Sequence, residues 1–247
     1  LAKLIHSLGS SNLTVRTLAT NEILDRFRTP SDVIGPLHVA MAEPENANRR
    51  VCGQWILERL SGLDDKTRDQ LVNDQSPVVR THLARLLSER PKWRTSESKI
   101  AARFLSDANA MVRRAAADAA GRHPEVAFVE PLWKAWQSAD PKDAQLVHTA
   151  RIALRNHLAA LNIAEDPKVA DLVKDHPSEF LPIIMATGSD AGAELLVTLD
   201  TTKLADDAER LKIAMFIAQR IDAGKLPGWI ANLRTHSQKN PVDSLTE

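Results

Sequence analysis

The chain of 247 residues carries 43% hydrophobic and 26% charged side chains, which suits a folded chain with a sizeable core, either one large domain or two small ones. Lys+Arg and Asp+Glu number 32 each, so the formal net charge is zero; a general nucleic-acid binder usually carries a basic excess, because phosphate contacts supply most of its affinity, and the balance argues against that class. The single cysteine, Cys52, excludes an internal disulfide, and no apolar run approaches the roughly 18 residues of a membrane span.

The first element is helical. In LTVRTLATNEILDRF, residues 13 to 27, apolar side chains fall at Leu13, Val15, Leu18, Ala19, Ile23, Leu24 and Phe27, mostly on one stripe spaced by three and four. Helical periods continue along the chain, tyrosine is absent, and alternating strand patterns and glycine-rich hairpin signals are scarce. Helix openers recur at Asn12, at Ser76 before Pro77 and at Asp166 before Pro167; each offers a side-chain acceptor at the N-cap. The pairs Asp64-Asp65 and Asp206-Asp207 sit where a helix N-terminus favours negative charge. The fold class is therefore all-α.

One phrase is written three times: NLTVRTLAT (12 to 20), SPVVRTHLA (76 to 84) and NAMVRRAAA (109 to 117). Arg50, in NANRRVCGQWILERL, takes the same place between the first two copies. The arginines Arg16, Arg50, Arg80 and Arg113 are separated by 34, 30 and 33 residues, the length of two helices and two turns and the signature of a solenoid. GPLHVA, EPLWKA and LPIIMA place Pro36, Pro131 and Pro182 a few residues into a helical stretch, where each should kink or restart an outer helix. Each unit is then an outer helix, a polar turn and an inner helix opening on the Val-Arg phrase.

At VIGPLHVAMAEPENANRRVCGQWILERL, LVNDQSPVVRTHLARLL and FLSDANAMVRRAAADAAGRH the chain resembles HEAT repeats, in particular the short bacterial kind also found in phycobilisome-lyase-like proteins. The tetratricopeptide pattern needs a tyrosine, and no ankyrin T-P-L-H phrase is present. The resemblance implies a right-handed α-solenoid of about six to seven helix pairs over residues 1–247, with clear repeats in 1–122, degenerate ones in 123–236 and a polar tail in 237–247. In that family the inner-helix arginine bridges neighbouring repeats through an acidic partner. This implies a structural ladder of Arg16, Arg50, Arg80 and Arg113 with Asp74 and Asp107, which stand six residues before Arg80 and Arg113; Ser10 holds that place in the first repeat.

The opening LIHSLGSSNLTVRTLATNEILDRF also resembles the repeat region of large planctomycete-type proteins that join a sugar-dehydrogenase-like propeller, HEAT repeats and a c-type cytochrome module. That likeness implies a spacer or docking segment of a haem-containing dehydrogenase-like protein, in an extracytoplasmic setting. The start at Leu1 is read the same way, as a segment of something longer or a processed product. A stand-alone chain would instead be cytoplasmic. The haem attachment phrase C-x-x-C-H is absent, since Cys52 is followed by GQWI.

Motifs of catalysis are not found: no HExxH, GxSxG or P-loop occurs. ATGSDAGAE, residues 186 to 194, lacks GK[ST] and reads as a turn. His148 and His157 share a helix, but nine steps of about 100° place them on opposite faces, unable to hold one metal. His82 reads as a satisfied or half-exposed histidine, and Cys52, on a stripe with Trp55, Ile56 and Leu60, as a small buried hydrophobe. Trp133 and Trp136 read as inter-helix core. Asn12-Leu13-Thr14 is a formal glycosylation sequon, but an N-cap explains Asn12 more simply.

An extended concave surface suits a protein or peptide, or flanking domains of the same polypeptide, better than a small substrate. The expected function is a non-catalytic interaction scaffold or spacer without cofactor or metal. Arg49 and Arg114, beside the ladder arginines, and Trp136 are the candidate partner contacts. The alternative is a DNA-binding enzyme similar to the alkylpurine DNA glycosylases, which need a basic concave face with aromatics. A bilin lyase or chaperone rests on fold analogy alone.

Overall fold

The computed structural model describes residues 1–27, 29–160, 166–197, 199 and 207–231; these are helical, with no strand among them. The helices are α1 (Ala2–Ser7), α2 (Leu13–Arg26), α3 (Pro30–Met41), α4 (Ala47–Arg59), α5 (Asp65–Val72), α6 (Pro77–Glu89), α7 (Thr95–Leu105) and α8 (Ala110–Gly121), then a 3-10 turn (Val126–Phe128), α9 (Val129–Gln137), α10 (Ala144–Ala160), α11 (Pro167–Asp175), α12 (Pro177–Met185), α13 (Asp190–Val197) and α14 (Asp207–Arg220). No described helix is long and apolar enough to cross a membrane. The expected tail 237–247 and Asp206 lie outside the described residues.

The chain divides into two compact units, residues 1–123 with 134–150, and residues 124–133 with 151 onward. In the first, α1 packs on α2, α3 on α4, α5 on α6 and α7 on α8, while the second helices follow one another, α2 on α4, α4 on α6 and α6 on α8. Leu37, Ile56, Leu57, Leu83, Leu87 and Phe104 form the core of this stack. The α6–α8 seam is packed most extensively, because α8 turns Ala116, Ala117, Ala119 and Ala120 inward and small side chains let the two backbones approach. In the second unit α11 packs on α12, α12 on α13 and α13 on α14, around Val173, Phe180, Ile184 and Leu196.

Helix starts follow the expected chemistry with one exception. Asn12 accepts from the amides of Thr14 and Val15, Asp64 from Thr67 and Asp166 from Lys168 and Val169. Ser76 makes no side-chain cap; the Asp74 carboxylate instead accepts the Ser76 amide at 2.8 Å. The prolines also behave differently from expectation. Helix α3 runs through Pro36 and α12 through Pro182. The carbonyl that each ring leaves without a helical donor belongs to an exposed residue, Asp32 or Ser178, within reach of solvent. Pro131 falls in the first turn of α9, where no helical donor is lost.

Candidate interaction surface

The repeat phrase sets a common register. Helices α2, α4, α6, α8 and α10 open on Asn12, Asn46, Ser76, Asn109 and Asp143, spaced by 34, 30, 33 and 34 residues. The register thus runs one helix beyond the last Val-Arg phrase. Four residues after the first four caps stand Arg16, Arg50, Arg80 and Arg113. All four guanidiniums fold back on main-chain carbonyls of the preceding turn: Arg16 on Ser10 and Ser11, Arg50 on Glu43 and Pro44, Arg80 on Asp74, Arg113 on Asp107 and Ala108.

Two of the four also cross to the next pair. Arg50 grips Asp74 with two bonds of 2.5 and 2.9 Å, and Arg80 grips Asp107 with bonds of 2.8 and 3.0 Å. The first pair is almost wholly buried, with side chains 7% and 8% exposed. Burial works to raise the Asp107 carboxyl, but the Arg80 guanidinium and the Asn109 amide hold it below its ordinary range. Arg16 and Arg113 have no such carboxylate, and the Arg113 Nε is buried without a hydrogen-bond partner. The acceptor place, two residues before the next cap, is Pro44 opposite Arg16 and Pro141 opposite Arg113.

A second ion network went unread in the sequence. Arg90 pairs with Glu58 at 2.5 and 2.7 Å and with Glu97 at 2.5 Å, and buried Arg68 reaches Glu97 at 3.3 Å and also Asp65. It ties α4, α5 and the α6–α7 turn to the start of α7. Its residues are spread over about 40 positions without periodicity, so no local pattern announces it.

The positions two, six, nine and thirteen residues after each cap fall within about 60° of one helix face. On α2, α4, α6 and α8 this stripe carries exposed Leu18, Val78 and Met111, half-buried Trp55 and His82, and exposed Arg85. The Trp55 indole donates to His82 Nδ1 at 3.0 Å across the α4–α6 seam. Burial, and then the Arg85 charge, push the His82 imidazole below its ordinary range, so Nδ1 keeps the lone pair that the indole needs. Cys52 is half-exposed on the same stripe rather than a core residue; burial pushes its thiol up, against the charge of Arg16 on α2 and a hydrogen bond with Thr20.

The candidate partner contacts separate. Arg49 is buried and bonded to Glu43, so it presents no free guanidinium. Arg114 lies beside the stripe and bonds Gln145 on α10, at the edge of a crevice of about 430 Å³ lined also by Met111 and Asp143. Trp136 is half-buried. Trp133 donates to Glu179 at 2.6 Å and lies 4.4 Å from the His176 ring. His148 is exposed, whereas His157 is fully buried with its Nδ1 on the Ala153 carbonyl at 2.8 Å. Of the stretch 186–194, read as a turn, only 186–189 is one, with Gly188 at φ +62° and Ser189 opening α13, which takes up 190–194.

No protein-family model, curated protein or solved structure matches the chain.

Proposed function

We propose that the chain is a HEAT-like α-solenoid working as a non-catalytic protein-binding scaffold, with the shared stripe of α2, α4, α6 and α8 as its working surface. The observation that carries this reading is the stripe itself. Four successively packed helices expose the same register, and large apolar side chains at Leu18, Val78 and Met111 stand on it in solvent. Apolar side chains clustered on one surface favour a macromolecular partner, and repeat stacking supplies extended surfaces rather than enclosed ones. A photo-crosslinking residue placed at Val78 or Met111 is expected to trap the same partner protein. One at Val39, exposed on α3, should not; equal trapping from all three sites overturns the assignment of the surface.

In the same reading the chain serves as a spacer or docking segment of a larger haem-containing dehydrogenase-like protein, outside the cytoplasm. The support is the likeness of residues 4–27 to such repeat regions. An antibody blot of the source organism, with a parallel lane stained for covalent haem, tests it. A haem-bearing band far above 27.2 kDa is expected, and a haem-free band at the chain's own mass sinks the spacer reading.

A further inference from the structure

Along one edge of the stripe, thirteen residues after each cap, stand Asp25, Arg59, Glu89 and Arg122 on α2, α4, α6 and α8 in turn. All four are exposed, in the last turn or at the C-cap of their helices. Their signs alternate. Asp25, Arg59 and Glu89 make no ion pair with another described residue, and Arg122 reaches only its own-helix neighbour Asp118, at 3.5 Å with both side chains more than half in solvent. The row is therefore free to face outward charge. One turn back from Arg59, Trp55 offers an aromatic surface held in place by its bond to His82.

We propose that this row reads a partner segment of complementary, alternating charge, lying extended across the helices; this rests on the scaffold reading above. Packed helices lie about 8–10 Å apart, and an extended chain rises about 3.3 Å per residue. One helix step then spans about three residues. The segment is basic-x-x-acidic-x-x-basic-x-x-acidic, with an apolar residue between charges to meet Trp55. The alternation supplies specificity more than raw affinity, because a segment with like charges grouped meets repulsion at two of the four positions.

The test is fluorescence anisotropy with two fluorescein-labelled peptides of one composition. One has the order Lys-x-x-Glu-x-x-Lys-x-x-Glu, the other Lys-x-x-Lys-x-x-Glu-x-x-Glu, with x leucine, serine or alanine. The wild-type chain is expected to bind the alternating peptide about tenfold tighter. The double variant Arg59→Glu/Glu89→Arg keeps the net charge and regroups the row as acid, acid, base, base. It should reverse the preference, with circular dichroism confirming unchanged helix content. Equal binding of both peptides by both proteins, lost in Trp55→Ala, overturns the charge code and leaves the scaffold surface standing. Binding of neither peptide overturns the code, and salt-dependent binding of a labelled duplex DNA in their place overturns the scaffold reading with it.

Discussion

Arg50 and Arg80 each hold a carboxylate of the next helix pair, whereas Arg16 and Arg113, at the same place in the register, hold main-chain carbonyls and no carboxylate. The shared duty is local: every guanidinium ties its helix to the turn six residues before it. The rung to the neighbour is an addition, made where aspartate stands two residues before the following cap and missing where Pro44 and Pro141 take that place. The junction between the first two pairs is closed by neutral groups instead, with Asn46 donating to the Gly9 carbonyl and Asn48 to that of Ser10, each at 3.3 Å.

The widest gap between the two kinds of junction should appear on removing the acceptor. Asp74→Ala leaves Arg50 buried and uncompensated and also strips the Ser76 amide of its acceptor, so urea unfolding should show a loss of about 3–5 kcal/mol. Ser10→Ala, at the matching place in the first pair, should lie within about 0.5 kcal/mol of the parent. Equal losses would mean that the rung adds nothing to the local tie.

A smaller contrast separates the first helix from its followers. Three residues after the cap stand Val15, 39% exposed, and Val79 and Val112, both fully buried. Val79→Ala should cost about 2 kcal/mol and Val15→Ala at most about 0.5 kcal/mol. Restoring the missing acceptor is a gentler probe: Pro44→Asp faces a carboxylate toward Arg16 and should raise stability by about 0.5–1 kcal/mol, visible as a higher urea midpoint. A fall would show that the ring of Pro44 matters more to its turn than a rung does.

The least effect concerns pH. Asp107 has its carboxyl lowered in the fold, so its contribution is complete above the ordinary carboxylate value of about 3.9 and fades as pH falls through the lower folded value. His157 is lowered chiefly by burial. Its unfolded form takes up a proton first as pH falls below about 6.5, so stability declines from there downward. Urea midpoints at stepped pH values should show the histidine limb vanish in His157→Phe and the acid limb shrink in Asp107→Asn; a histidine limb that survives His157→Phe belongs to another group.

Much of this organisation is legible in the residues. The repeated arginine and its 30-to-34-residue step locate α2, α4, α6 and α8, and the polar residue four places ahead of it, asparagine in three and Ser76 in α6, marks where each begins. The fifth register helix, α10, is hidden because Val147 stands in the arginine place and only the Asp143 cap survives. The acceptor row is readable as Ser10, Pro44, Asp74, Asp107 and Pro141 once the caps are aligned. Burial is harder to read, because it depends on what stacks outside the helix. The stripe Leu13, Val15, Leu18 has the periodicity of a core face yet lies exposed on α2, while Arg49, polar by type, is sealed under its neighbours. Cys52 and Trp55 fall on the outer side of α4 for the same reason: a helical period locates a face without saying which side of the helix the next one covers.

The difference between the amide-joined first junction and the two ion-joined ones after it has a consequence for how the stack comes apart. Amide hydrogen exchange in moderate guanidinium chloride should report an uneven fraying. The Arg50 and Arg80 rungs are largely buried, so the salt screens them little, while the Asn46 and Asn48 contacts are single neutral bonds of 3.3 Å. Helices α1 and α2 should therefore open first, in urea as in guanidinium chloride.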